Sequence, residues 1–191
     1  MAKARRIPGL SADQPYAVAA VRIVEVRVGE LMEHSRGVLD VSETRRVHDM
    51  RVATRRLRAA LEIFERCFPR QELKAALRDV KAIADALGER RDRDVAIGAL
   101  EDVSESMTAP DRPGIETLIA RLRAEQDAAN EALATVVTPD RLAALGDRVH
   151  ELLAGAQTAE ADQGPRGEAV CLPRQTGGAV NGAGLRAVGE A

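Results

Sequence analysis

The sequence has 191 residues, 45% of them apolar, which suits one domain of ordinary size with a core of its own. Only 2% are aromatic, so a core of Ala, Leu, Val and Ile is expected, and this favours packed helices over a β-sandwich. The net charge of −2 conceals a basic segment, residues 42–93, which holds 14 Lys and Arg against 9 Asp and Glu and indicates an anionic ligand.

Helical periodicity and capping residues predict two helices in the first third of the chain. The first begins at Asp13, a predicted N-cap, and extends to a connection at residues 37–41. The second begins with Ser42 as its N-cap and runs to about Cys67, because Pro69 cannot continue a helix.

Two further helices are predicted in the middle of the chain. The third covers residues 71–87 and ends at Gly88, because glycine is enriched just past helix C-termini. The fourth begins near Asp92 and ends before Thr108, where Pro residues predict a loop over 108–114.

A long helix over residues 115–136 and a last helix complete the predicted domain, and no strand pattern is found. The last helix begins at Thr138-Pro139, a cap followed by a favoured first position, and ends near Gly155. The predicted organisation is a disordered N-terminus, a helical domain and a Gly-rich disordered tail, at residues 1–12, 13–155 and 156–191.

The second predicted helix separates apolar from cationic side chains. One face carries Met50, Ala53, Leu57, Ala60, Leu61 and Phe64. The opposite face carries His48, Arg51, Arg55 and Arg58. These four extend about 15 Å along the axis, and such a row suits a ligand with repeated negative charge. Arg binds phosphate oxygens bidentately, although Glu62 on the same face is a potential partner for Arg55 or Arg58.

The third predicted helix carries a weaker cationic row formed by Lys74, Arg78 and Lys81. If the second and third helices pack antiparallel across the turn at Pro69, both rows line one groove. Arg90, Arg91 and Arg93 then lie at the next connection and close one end of it. The alternative interpretation is that these faces are merely solvated.

Asp92 and Asp94 are interpreted first as residues that cap the start of the fourth predicted helix. Asp92 is also suited to hold Arg91 in a fixed orientation. Neither aspartate is expected to contact the ligand.

Catalysis, metal binding and membrane insertion are not expected. His34, His48 and His150 lie on three different predicted helices, and Cys67 and Cys171 lack zinc-ligand spacing. His48 is expected to contact phosphate instead. The sequence lacks a phosphate-binding loop of the G-x-x-x-x-G-K-[ST] type, a nucleophile–base arrangement and clustered carboxylates, so neither an enzyme nor a cofactor is predicted. No apolar run approaches the roughly 20 residues that span a bilayer, so a soluble cytoplasmic protein is expected.

Two segments resemble the signatures of the CHAD domain, the conserved histidine α-helical domain. The run from Val47 to Ala59, VHDMRVATRRLRA, is similar to the signature helix of that family. The run from Leu87 to Val95, LGERRDRDV, is similar to its second signature, LGxxRDxDV. The two motifs occur in the family's order, and the resemblance covers roughly residues 13–155.

The resemblance implies two pseudo-symmetric four-helix bundles whose basic surface binds inorganic polyphosphate without catalysis. Carried across by position, the polyphosphate-binding residues are His48, Arg51, Arg55, Arg58, Lys74, Arg78, Lys81 and Arg91. The implied location is the cytoplasm, in association with polyphosphate granules.

The sequence departs from the family after Gly155, because no second His- and Arg-bearing helix is found there. The expected fold is therefore one half of a two-bundle architecture, an antiparallel helical bundle with a disordered C-terminal tail. A second copy in a homodimer is one way to supply the missing half.

Two other functions stay open at this point. The same Arg residues suit a non-specific binder of nucleic acid or other polyanions, although Tyr16, Phe64 and Phe68 are the only aromatic residues for base stacking. A structural helical remnant without a ligand is the other alternative. An enzyme of the triphosphate-tunnel type is excluded because its ExExK signature is absent.

Overall fold

The computed structural model of the chain describes residues 4–162, which are mostly helical. The five α-helices of this part are α1 Tyr16–His34, α2 Thr44–Ile63, α3 Arg70–Ser106, α4 Arg112–Val136 and α5 Pro139–Asp162. Short 3-10 turns at Glu65–Cys67 and Ala109–Asp111 lead into α3 and α4. No strand occurs within residues 4–162, so the predicted all-α fold class is confirmed.

The helices form a bundle around one apolar core. α1 packs on α2 and α5, α2 packs on α3, and α3 packs on α4 and α5. The apolar face predicted for α2 is buried, with Met50, Leu57 and Leu61 fully enclosed. Each such side chain contributes roughly 1.5–3 kcal/mol by its burial. The ring of Phe64 at the end of α2 packs on Tyr16 of α1, with 5.0 Å between ring centroids. Burial of this face directs the cationic face of α2 outward.

A single 37-residue helix, α3, replaces the third and fourth helices predicted from the sequence. The predicted stop at Gly88 is wrong, because this residue lies inside the helix in open space. Buried apolar side chains of α3 lie on both sides of it along the chain, Ile83 and Leu87 before it and Ile97 after it. The burial of these side chains exceeds the roughly 1 kcal/mol that an interior glycine costs a helix.

Asp92 and Asp94 therefore lie in the middle of α3, and the prediction that they cap a helix start is wrong. Asp94 is buried and forms an ion pair with Arg90, whose side chain is fully enclosed. Gln126 of α4 donates from Nε2 to Oδ1 of Asp94 at 2.7 Å. Burial lowers the pKa of Arg90, and the carboxylate of Asp127 opposes that shift. This polar contact fixes α3 against α4.

The ends of α2 and α5 differ from those predicted. Ser42 is not the N-cap of α2, because the helix begins at Thr44 and the Ser42 hydroxyl donates to Oδ1 of Asp40 at 2.6 Å. α2 ends at Ile63, and residues up to Cys67 form the 3-10 turn instead. Asp13 is not the N-cap of α1 either, since that helix begins after Pro15.

The last helix begins as predicted and ends later. The backbone N–H of Arg141 donates to the hydroxyl of Thr138 at 3.3 Å, as expected for a capping residue. α5 then passes through Gly155, the predicted end, and continues to Asp162. A side-chain Cβ at Gly155 would lie 3.1 Å from Cγ of Pro69, so glycine allows a close approach of α5 to the turn before α3.

The segment before α1 consists of turns that contact this helix. The backbone N–H of Arg5 donates to Oε1 of Glu30 at 2.6 Å. The predicted disorder of residues 1–12 stays a prediction, and its first three residues lie outside the described part of the chain. Residues 163–191, most of the predicted Gly-rich tail, also lie outside it.

Candidate functional site

A groove of about 560 Å³ lies between α2 and α3. Its polar lining, here called the basic groove, consists of Arg58, Glu62, Gln71, Lys74, Arg78 and Lys81. It forms because α2 and α3 pack on each other across the short connection at Pro69, as the sequence predicted. Four of the eight predicted site residues therefore share one concave surface.

The charges of the basic groove are only partly neutralised. Nε of Arg58 donates to Oε1 of Glu62 at 2.7 Å, so Glu62 pairs with Arg58 rather than with Arg55. Lys81 pairs with Asp85 one turn further along α3. Lys74 and Arg78 form no hydrogen bond or ion pair through their side chains with any residue in 4–162.

The cationic row of α2 continues from this groove toward the start of the helix. The arginine row, as we name it, comprises His48, Arg51, Arg55 and Arg58. Arg55 and Arg58 are exposed, whereas His48 and Arg51 are half-buried. The side chains of the first three have no hydrogen bond or ion pair within the described residues. The carboxylate of the neighbouring Asp49 forms an ion pair with Arg45, with 3.6 Å between Oδ2 and Nε.

The predicted closing cluster of arginines at residues 90–93 does not form. Arg90 is in the interior, and Arg93 pairs with Glu89 at 2.6 Å and lies 3.9 Å from Glu125 of α4. Arg91 is half-buried on α3 and is not part of the groove lining. Because α2 and α3 run in opposite directions, Arg91 lies toward the same end of the helix pair as His48. The two cationic rows thus run side by side along the pair.

The three histidines lie on three helices, α1, α2 and α5. Nδ1 of His150 lies 2.9 Å from the carbonyl oxygen of Gly146 in its own helix. No group of three or more His, Cys, Asp or Glu side chains that could hold a metal ion occurs among the described residues. Likewise, no helix within residues 4–162 has both the length and the apolar character to cross a bilayer.

A buried ion pair on the other side of α2 was not anticipated from the sequence. Glu30 of α1 is almost fully buried and accepts a hydrogen bond from Nη1 of Arg27 at 2.7 Å. Burial by itself raises the pKa of Glu30. The hydrogen bonds from the Arg5 backbone and from Arg27, with the charges of Arg27 and Arg56, outweigh that effect and lower the pKa. The Glu30 carboxylate thus attracts the Arg56 side of α2 to α1.

A second groove, also missed by the sequence reasoning, lies between α3 and α5, on a neighbouring face of α3. This α3–α5 groove has a volume of about 380 Å³, and its charged lining is Arg78, Asp79, Arg141 and Arg148. Arg141 and Arg148 are seven residues apart on α5, a helical spacing that places them on one face. That spacing is the one sequence signal that could have indicated this groove, but its partner helix could not be deduced.

Comparison with known proteins gives one match. A family model described as CHAD domain matches residues 22–177. The match includes the whole of α2 and α3, which carry both signature segments, so the resemblance found in the sequence is confirmed. It begins inside α1 and extends past Gly155, where the resemblance was expected to end. No curated protein and no solved structure matches the chain.

Proposed function

Since the chain belongs to the CHAD domain family, we propose that it binds inorganic polyphosphate through the basic groove and the arginine row. One observation carries the proposal. Five cationic or titratable side chains on the adjacent faces of α2 and α3 have no partner within residues 4–162, namely His48, Arg51, Arg55, Lys74 and Arg78. Mutual repulsion of such charges destabilises the folded chain, and a polyanion that lies along both rows removes it.

The shape of this surface favours a polymer over a small anion. The arginine row spans about 15 Å along α2, from the rise per residue of a helix. A linear chain of phosphates presents negative charge at every unit and contacts successive arginines. Because these side chains are largely solvated, affinity rises with chain length and falls steeply with salt. No catalytic step is part of the proposal.

Nucleic acid is the less favoured ligand. Proteins that hold single strands stack bases on aromatic side chains. Of the three aromatic residues here, Tyr16 and Phe64 pack on each other and Phe68 is buried, so none flanks the basic groove. We further propose that a second copy in a homodimer extends the basic surface and that the protein associates with polyphosphate granules in the cytoplasm. Binding by one copy requires neither.

A titration with long-chain polyphosphate tests this function, with single-stranded DNA of matched total charge as competitor. The loss-of-function variant carries three substitutions, Arg51→Ala, Arg55→Ala and Arg58→Ala. A matched control removes three exposed arginines from α1 and α4, Arg22→Ala, Arg121→Ala and Arg123→Ala. We expect the first triple variant to lose most of the affinity while its circular dichroism stays helical, and the second to lose little.

A variant that is expected to raise the affinity for polyphosphate complements these two. Glu62→Gln frees Arg58 from its carboxylate partner and should tighten binding about two- to fivefold at low salt. Equal losses in both triple variants would mean that only net charge matters, and would refute the assignment to the basic groove. Preference for DNA over polyphosphate would favour the nucleic-acid alternative, and binding of neither would favour the structural remnant.

A further inference from the structure

The α3–α5 groove has the composition of a site for phosphate groups. Its lining combines three arginines with one aspartate, so it is net positive. The floor is apolar and includes Ile83 and Leu145, both buried.

The single carboxylate of this groove does not neutralise it. Asp79 forms an ion pair with Nη1 of Arg148, and both side chains are one-third exposed. A guanidinium has five N–H donors in a planar fork, so this contact leaves most of the donors of Arg148 available. Asp79 thereby fixes the orientation of Arg148. The side chain of Arg141 is exposed and has no hydrogen bond or ion pair with the described residues.

The two grooves meet at one residue. Arg78 is part of the lining of the basic groove and of the α3–α5 groove, which lie on neighbouring faces of α3. A chain that leaves the basic groove at Arg78 therefore meets Arg141 and Arg148 next.

We propose that the α3–α5 groove is a second phosphate-binding groove, which holds the continuation of a polyphosphate chain already bound in the basic groove. Arg141 and Arg148 bind the continuing phosphates, and Arg78 bridges the two parts. This inference rests on the proposed function, because it assumes that the first part of the chain occupies the basic groove. It implies that the protein distinguishes long polyphosphate chains from short ones, since only a long chain reaches both grooves.

The test compares tripolyphosphate, which fits within one groove, with long-chain polyphosphate. Arg141→Ala removes an exposed side chain that has no partner in the described part of the chain, so the fold should be unchanged. We expect it to weaken long-chain binding about three- to tenfold, to reduce the salt slope by about one, and to weaken tripolyphosphate binding by a clearly smaller factor. Arg121→Ala on α4, the matched control, should alter neither affinity.

Each other outcome overturns a defined part of this reasoning. If Arg141→Ala behaves like Arg121→Ala with long chains, while the Arg51/Arg55/Arg58 triple variant still loses binding, the second groove is refuted and the proposed function stands. Equal losses for short and long chains refute the continuation of one chain across both grooves, since Arg141 then contributes the same to any phosphate chain. A wild-type chain that binds neither ligand refutes both proposals.

Discussion

Gly88→Ala tests whether α3 is continuous, because the sequence predicted a helix end at this residue. In the structure Gly88 lies within α3, and an added Cβ has no neighbour within 4 Å. Alanine is favoured over glycine in a helix interior by about 1 kcal/mol, chiefly because the unfolded glycine has more conformational freedom to lose. We therefore expect the substitution to raise the free energy of unfolding by about 0.5–1 kcal/mol.

Urea denaturation followed by circular dichroism measures this change. With an m value of about 2 kcal/mol/M, the midpoint should rise by about 0.3–0.5 M at unchanged m. Gly98→Ala is the matched control, since Gly98 lies in α3 with equally open surroundings and within a helix by either interpretation. A midpoint that falls for Gly88→Ala but rises for Gly98→Ala would show a left-handed cap at Gly88 and refute the continuous helix.

Two further predictions concern buried charges. Asp94→Ala leaves the enclosed Arg90 without its ion-pair partner and should cost roughly 3–5 kcal/mol in unfolding free energy by thermal or urea denaturation. A loss below about 1 kcal/mol would contradict burial of the pair. Glu30→Gln should reduce the loss of unfolding free energy that occurs as the pH falls into the acid range. The folded-state pKa of Glu30 is lowered, so its stabilisation is present above the unfolded pKa of about 4.3 and is lost as pH falls through the folded pKa.

The Asp94→Ala and Glu30→Gln variants each have a matched control. Replacement of both members of the Arg90–Asp94 pair by leucine should cost much less than Asp94→Ala, because no charge is then left buried alone. For Glu30, the exposed Glu33 provides the comparison, and Glu33→Gln should change the loss of unfolding free energy at acid pH less. If the unfolding free energy of the wild type and of Glu30→Gln changed identically between about pH 5 and pH 3, this would contradict the lowered pKa of Glu30.

The sequence predicted α2 well because a single pattern determines both of its faces. The apolar residues predicted for its inner face repeat at helical spacing and are buried, and the cationic residues consequently point outward. The prediction for α3 was wrong because a local preference, the tendency of glycine to end helices, was weighed without the packing that opposes it. Contacts of α3 with α4 and α5 lie far apart in sequence, and no local rule contains them.

The same limit applies to individual charged residues. A sequence cannot distinguish a solvated arginine from one enclosed in the core, and Arg90 was expected at a connection on the surface. Its burial depends on Asp94 one turn later and on Gln126 from another helix. The α3–α5 groove likewise depends on how α5 docks, which brings Arg148 of α5 to Asp79 of α3 across 69 residues of sequence.

The distribution of partners among the arginines favours a ligand-binding face on α2 over a merely solvated one. On α4 every arginine has a partner: Arg112 donates to a backbone carbonyl, Arg121 pairs with Glu125, and Arg123 pairs with Glu101. A solvated basic face on α2 should be compensated in the same manner, because oppositely charged residues at helical spacing lower repulsion at little cost. Arg51 and Arg55 instead have no such partner among residues 4–162, although they follow each other on one face. Neighbouring arginines that stay uncompensated within the described residues are the arrangement expected where the counter-charge comes from a ligand.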